Sequence, residues 1–273
     1  MDAIINFFIY KVTPWFLSLI MFFFPVMTAQ SGAGSAEPVY NIVDVEGVSM
    51  AEITLLTYNV KNCQNGTAIK QIAGEIAATG AQIVFLQEID NGIVRSFFLD
   101  EAKLLAAELG FSYAFFPALK VAGGLYGNAI LSAFPLSGAA VTALPIIGDI
   151  ETRAYGQADI VVEGVPVRLF VTHLSSGSHE SRLLQLAELD KAINASPGGS
   201  FLLGGDFNVS SYDNYALLTN AVPAHTAETQ PPYASRIDNI FCDPSKALIN
   251  VRGIPTGYSD HNLVLAEVLI PLG

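Results

Sequence analysis

The chain has 273 residues, 51% of them hydrophobic and only 14% charged, with a formal net charge of −12 at pH 7. That is enough apolar material for one large core and one domain. No lysine or arginine run occurs anywhere. Tight, sequence-independent binding of nucleic acid therefore lacks its electrostatic footprint, although a few local cations can still hold one phosphate.

Residues 3–29 are apolar apart from Asn6, Lys11, Thr13, Pro14, Ser18 and a few others. The densest part, 15–27, has the length of a signal-peptide core, and Ala29-Gln30-Ser31 and Ser31-Gly32-Ala33 both fit cleavage sites. The rival reading is an uncleaved membrane anchor, because the whole apolar stretch is long enough to span a bilayer. Residues 1–30 are thus expected to be a signal peptide or N-terminal membrane anchor. The rest is expected to be exported, secreted or periplasmic, and free or tethered through that segment. Residues 31–50, rich in Gly, Ala, Ser and Val, read as a linker into a domain over 51–273.

Within the domain, 52–58 reads as a strand ending at Asn59, followed by a helix with Ile69, Ile72, Ala73 and Ile76 on one face and Gly80 as its stop. Residues 81–86 are apolar on both faces, hence a strand covered on both sides, ending in Gln87-Glu88. A second helix over about 100–109 is closed by Gly110. Short strands then follow at 112–116, 128–132, 136–144, 155–162 and 165–172, the last two joined by the turn Glu163-Gly164. Val165, Val167, Leu169 and Val171 share a face, and His173 continues that parity at the strand exit. A helix over about 178–195 leads to the run Phe201-Leu202-Leu203-Gly204-Gly205, a buried strand stopped at Asp206-Phe207-Asn208. Strands at 237–241 and 262–269 close the chain. Helices interleaved with hairpins suggest two mixed sheets with helices outside.

Several strands thus end in polar residues: Asn59, Glu88, His173, Asp206, Asn208, Asp238, Asp260 and His261. Each has a bland alternative, as a turn former, a solvated strand end or a satisfied histidine. Asp238 is the hardest to explain that way, because it lies in the apolar setting Arg236-Ile237-Asp238-Asn239-Ile240-Phe241 and a buried carboxylate needs a cation or donor. Together the set holds a metal carboxylate, phosphate-orienting amides and two histidines with an acid for a partner.

The chain resembles the endonuclease/exonuclease/phosphatase superfamily of deoxyribonuclease-like metal-dependent phosphoesterases. The resemblance rests on Leu56-Thr57-Tyr58-Asn59-Val60, Leu86-Gln87-Glu88, Tyr126-Gly127-Asn128-Ala129-Ile130-Leu131-Ser132 and Thr152-Arg153-Ala154. It continues through Thr172-His173-Leu174, Gly205-Asp206-Phe207-Asn208, Arg236-Ile237-Asp238-Asn239-Ile240-Phe241 and Ser259-Asp260-His261, all in the family's order over about 53–268. Asn239 departs from it, standing where the family often has an aromatic.

The resemblance implies an α/β fold, a four-layer α/β sandwich of two mixed, mostly antiparallel sheets flanked by helices. It implies that Glu88 is the main ligand of Mg²⁺ or Mn²⁺, with Asn59 and Asp260 in its shell. By the same resemblance His261 is an essential histidine oriented by Asp238, and Asp206 positions or deprotonates the attacking water. Asn208 and Arg153 bind the phosphate, and His173 protonates the leaving oxygen. Arg182 and Gln185 match a family feature and read as structural. The active-site end is placed so that Cys63 and Cys242 cannot bridge, so two free thiols are expected.

The resulting expectation is an exported phosphoesterase, monomeric, acting on a small phosphoester or nucleotide with Mg²⁺ or Mn²⁺. The alternatives are a weak nonspecific nuclease acting on nucleic acid, a sphingomyelinase-like lipid phosphodiesterase and an inactive binding module. The lipid reading needs exposed apolar residues beside the site. Only Ser96-Phe97-Phe98-Leu99 and Phe115-Phe116 offer them, and these aromatics are expected in the core.

Overall fold

The structure, a computed structural model, describes residues 27–147 and 151–272, so the signal-or-anchor segment lies outside the described residues up to residue 26. In chain order the elements are β1 (Gln30–Gly32), β2 (Asn41–Val45), β3 (Val48–Asn59), α1 (Ile69–Thr79), β4 (Ile83–Asn91) and α2 (Glu101–Leu109). Then come β5 (Ser112–Val121), β6 (Gly124–Ser132), β7 (Ser137–Ala143), β8 (Ala154–Val162), β9 (Val165–His173) and α3 (His179–Asn194). The chain closes with β10 (Phe201–Asp206), β11 (Val222–Pro223), β12 (Asp238–Cys242), β13 (Ala247–Ile254) and β14 (Leu263–Pro271).

One sheet runs β1-β5-β6-β4-β3-β14-β13 with β2 also on β3, and the other runs β11-β12-β10-β9-β8-β7. Period-2 alternation sorts the side chains into layers. Ile53 and Leu55 of β3 join Val167, Leu169 and Val171 of β9 and Leu202 of β10 in a core between the two sheets. Leu56 and Tyr58 point the other way, onto Ile72 and Ile76 of α1 and Leu105 of α2. On the far face of the second sheet, Phe170, Phe201 and Leu203 meet Leu186, Leu189 and Ile193 of α3. This is the four-layer sandwich of helices, sheet, sheet and helix.

The helices follow local rules. α1 buries one apolar face and stops where Gly80 takes a left-handed φ of 71°. Each fully buried isoleucine there stabilises the layer by about 1.5–3 kcal/mol. The Asp100 carboxylate accepts the Lys103 amide at 3.1 Å at the start of α2, and the Ser178 hydroxyl accepts the Ser181 amide at 3.1 Å at the start of α3.

Several sequence expectations change. The linker over 31–50 contributes two strands, since Gln30–Gly32 pairs with β5 and Asn41–Val45 with the start of β3. Polar, Gly-rich composition hides such edge strands, whose backbones gain pairing without a buried side-chain face. β13 was not legible either, because this edge strand carries a bulge between Ile249 and Arg252. The strand expected to end at Gln87-Glu88 instead runs on to Asn91, past a register shift between Leu86 and Ile89.

The two thiols are free. Cys63 packs in the helix-side layer and Cys242 between the sheets, so the first sheet separates them.

Candidate active site

Two parallel pairings and one antiparallel pairing bring the reactive ends together. β3 pairs with β4 so that Asn59 faces Gln87. β10 pairs with β9 so that Asp206 faces His173, and with β12 so that Asp206 also faces Asp238. The ends of both sheets therefore open on one cleft of about 430 Å³, lined among others by Glu88, Arg153, His173, Asp206, Asn208 and His261.

Close sheet packing fixes this end. A Cβ on Gly204 would lie 2.2 Å from the Phe85 ring, and one on Gly205 would lie 2.4 Å from the Thr172 carbonyl oxygen. Only glycine lets the strand carrying Asp206 approach its neighbours so closely. Glu88 sits at the β4 bulge with φ of 60°. A bulge turns one side chain out of the alternation, and here it turns a carboxylate into the cleft.

Asn59 ties the two carboxylates together. Its fully buried amide donates to Glu88 Oε1 at 3.0 Å and to Asp206 Oδ2 at 3.1 Å. Its own carbonyl oxygens are engaged, Oδ1 by the Lys61 amide at 3.1 Å and the backbone oxygen by the Ser259 hydroxyl at 2.7 Å. Asp206 also accepts the Asn208 backbone amide at 3.0 Å, while the Asn208 side chain donates to Leu174 O at 3.1 Å.

His261 Nδ1 donates to both oxygens of Asp238, at 2.9 and 3.1 Å, and its Nε2 lies 3.7 Å from Asp206 Oδ2. Burial works against the charged ring, but the hydrogen bond to Asp238 and the charges of Asp238, Asp206 and Asp260 prevail, raising its pKa to about 9. Asp206 is itself raised, by burial first and by the Asp238 charge second, against the pull of His261 and of its amide donors.

His173 is placed on the other side of Asp206, with Nε2 3.4 Å from Oδ2. Burial, then the Arg153 and His261 charges, hold its pKa well below the ordinary value, so it is neutral. Its Nδ1 has no hydrogen-bond partner among the described residues. Arg153 is buried beside it, with Nη2 3.2 Å from Glu151 and an unpartnered Nε.

Not every expected residue reaches the cleft. Asp260, expected in the metal's shell, is more than half exposed and pairs with Lys61 at 2.7 Å, on a neighbouring depression. Asp260 and His261 lie in the bend before β14, which opens at Leu263, so no strand alternation carries Asp260 inward with His261. Lys61 is occupied in that pair, and Arg236 donates to Val209 O at 3.2 Å. The second guanidinium on the cleft is Arg95, which the sequence did not single out. Gln185 accepts the Ser175 amide at 2.8 Å and Arg182 donates to Ser175 O at 2.9 Å, so this pair braces the loop after His173.

His225 was also missed. It is fully buried, with Nε2 donating to the Asp238 carbonyl and Nδ1 meeting the Tyr212 hydroxyl, each at 2.9 Å. Asn239, the departure from the family pattern, donates to the His225 carbonyl at 3.0 Å. These contacts anchor the strand that presents Asp238. A lone histidine among turn residues carries no sequence signal of that role.

Among the described residues, the ligating atoms of Asp206, Asp238 and His261 lie within 4.8 Å of one another. The His261 ring is already held by Asp238 and raised toward its charged form, which opposes a cation at that point. Glu88 fits better. It faces the cleft, is held by an amide, and among the described residues forms no ion pair with lysine or arginine. Glu88, oriented by the Asn59 amide, offers the hard oxygen donors that a small divalent cation takes.

A two-sheet α/β sandwich with carboxylates, histidines and a guanidinium converging at one end defines a metal-dependent hydrolase of phosphoester bonds. The chain belongs to the Endonuclease/Exonuclease/phosphatase family, whose pattern it matches over residues 56–261. No curated protein matches it. Among solved structures it is similar to an endonuclease/exonuclease/phosphatase from Beutenbergia cavernae, at 20% identity and a TM-score of 0.64 over 81% of this chain and 72% of that one. The human Nocturnin catalytic domain with bound sulfate anion is similar at 22% identity and 0.63, over 84% and 96%. A Bacteroides thetaiotaomicron mannosyl-6-phosphatase is similar at 16% identity and 0.61, over 79% and 99%.

Proposed function

We propose that the protein is an exported Mg²⁺- or Mn²⁺-dependent phosphoesterase that hydrolyses phosphodiester or phosphomonoester bonds of compact substrates by attack of water. The observation that carries this reading is the Asn59 amide bridging Glu88 and Asp206, beside a histidine clamped by Asp238. Glu88, oriented by the Asn59 amide, would hold the cation, which when bound would neutralise charge developing on the phosphoryl oxygens.

The chain's own residues supply the rest. Arg153 and the Asn208 side of the cleft orient the phosphate. Asp206, its carboxyl raised by burial and Asp238, is matched to accept a proton from the attacking water near neutral pH. His261, charged at that pH, points Nε2–H at the same place and can donate to a phosphoryl or leaving oxygen. His173 is kept neutral, so its role shifts from the expected proton donor to a hydrogen-bond donor. The compact substrate is supported by the cleft volume of about 430 Å³ and by a net charge of −12, which repels polyanions. That relatives include a mannosyl-6-phosphatase fits a small phosphoester.

The test compares a soluble aryl phosphodiester, an aryl phosphomonoester, a sugar phosphate and plasmid DNA, with Mg²⁺ or Mn²⁺ and with EDTA, at two salt concentrations. A small substrate is expected to be preferred and EDTA to abolish turnover. Full activity in EDTA overturns the mechanism. Plasmid preference with a steep salt slope, well beyond the −2 to −3 or so expected for two or three phosphate contacts, points instead to a nonspecific nuclease.

A further inference from the structure

Glu101, the first residue of α2, is an acid outside the cleft, and it is fully buried. Its Oε2 accepts the Asp90 backbone amide at 2.9 Å, while Oε1 has no partner among the described residues. The guanidinium beside it is already engaged. Arg95 Nε and Nη2 grip the fully buried Asp90 carboxylate at 2.7 Å each, and the Ser96 hydroxyl donates to the same group. Two buried acids thus share one guanidinium, whose paired donors face only one of them.

A charge on Glu101 would be buried without compensation, and that costs more than the dipole at the first turn of a helix returns. Burial accordingly raises its carboxyl to about 8, with the Asp90 charge adding to the effect and the Asp90 amide, Ser96 and Arg95 opposing it. The buried Cys63 thiol faces it from the turn before α1 and is itself pushed up, by burial first and Glu101 second. Tyr126 of β6 faces Arg95, its ring centroid 5.6 Å from the guanidinium carbon. α1 and β5 turn the apolar Ile69, Ile72 and Phe115 to this layer. Near neutral pH the guanidinium therefore serves Asp90, and Glu101 is a neutral carboxylic acid.

What this cluster holds is one wall of the cleft. Asp90 lies two residues beyond Glu88, past the register shift in β4 between Leu86 and Ile89. Arg95 lines the cleft itself. The loop from Gly92 to Asp100 is not held by its aromatics, since Phe97 and Phe98, expected in the core, are 67% and 68% exposed. Phe115 and Phe116, by contrast, are fully buried. The Gly92 amide donates to Leu99 O and the Phe98 amide to Ile93 O, each at 2.9 Å, which closes the loop on itself. The Asp90–Arg95–Ser96 clasp, backed by Glu101, ties that loop to β4.

We propose that Glu101 is a positioning residue that acts as an un-ionised carboxylic acid, through Asp90, on Glu88 and Arg95, and that loss of its proton to solvent loosens the divalent-cation site. The second carboxylate then competes with Asp90 for the Arg95 donors, the clasp opens, and the bulge that presents Glu88 is no longer pinned. The cation half of this rests on the phosphoesterase reading, while the neutral acid stands on the cluster alone.

The test compares the full chain with Glu101→Gln, which keeps the shape and the Asp90 contact of the neutral acid but cannot ionise, and with Glu101→Ala, which keeps neither. Melting temperatures are taken without metal from about pH 5 to about pH 9. Relative to Glu101→Gln, the parent is expected to fall by about 5 °C or more over that range. The sign follows because an acid raised from 4.5 to about 8 contributes stability that is lost as pH rises between those values. His261 acts in both proteins and cancels in the difference. Mg²⁺ affinity is then measured by calorimetry at about pH 6.5 and about pH 9. Glu101→Ala should bind about tenfold more weakly at both, and Glu101→Gln should restore binding and exceed the parent about tenfold at the higher pH. A melting difference that does not change with pH, or a Gln variant destabilised throughout, means a charged Glu101 and overturns the proposal. So does an alkaline loss of Mg²⁺ affinity that is equal in parent and Gln variant, or absent from the parent. Hydrolysis of a soluble aryl phosphodiester by the parent is followed alongside. If there is none, the phosphoesterase reading fails while the melting difference still decides the proton on Glu101.

Discussion

On one side of Asp206, His261 holds its Nδ1–H on the Asp238 carboxylate; on the other, His173 lies against Arg153 with its own Nδ1 unpartnered. Both rings reach the same carboxylate oxygen, at 3.7 and 3.4 Å. Their protonation differs because their neighbours differ: three carboxylates around one, a guanidinium and a charged imidazole beside the other. Residue type alone does not assign acid and donor roles in such a site; the second neighbour does.

That contrast can be broken at its strong end. His261→Ala is expected to lower kcat/KM by about 10²–10⁴-fold, the range for removing a positioned proton-transfer group. His173→Ala should cost only about tenfold, the scale of a lost neutral hydrogen bond. Equal losses would show that the two rings share one role. Asp238→Asn should remove much of the His261 effect, about 10²-fold, because an amide neither charges the ring nor fixes its tautomer as a carboxylate does.

A smaller effect separates the metal from both rings. Asn59→Ala should weaken the Mg²⁺ or Mn²⁺ midpoint by about 10–100-fold, as removal of a group orienting a ligand does. An unchanged midpoint would place the cation away from Glu88.

The rings can also be read directly. In metal-free protein, NMR should show His261 titrating near 9 and His173 remaining neutral well below its usual range. The sign on stability follows. The raised His261 value contributes stability that is full below about 6.5 and is lost as pH rises through about 9. The depressed His173 value acts oppositely, costing stability as pH falls below about 6.5. Denaturation midpoints measured across that range should therefore flatten on the alkaline side in His261→Gln and on the acid side in His173→Gln. Gly204→Ala serves as the even-handed control. Its new methyl meets Phe85, so it should cost about 1–3 kcal/mol of stability without changing either titration.

Much of this site was legible because strand parity and short motifs report side-chain direction. His173 follows Val167, Leu169 and Val171 inward, and Asp206 follows a buried run, so their convergence could be read from the chain. Asp260 escaped because its fate depends on Lys61, which lies 199 residues away. Arg95 escaped because its orientation depends on a carboxylate buried by a bulge. Phe97 and Phe98 misled because apolar composition normally signals burial, and only the backbone φ turned them out.

Cys63 and Cys242 lie in different layers with a whole sheet between them. The native protein therefore cannot join them, and any bridge between them must arise before the layers assemble. Such a bridge would be a kinetic dead end, incompatible with the finished sandwich. Under oxidising conditions the yield of active enzyme should thus depend on whether the sheets close faster than the thiols react.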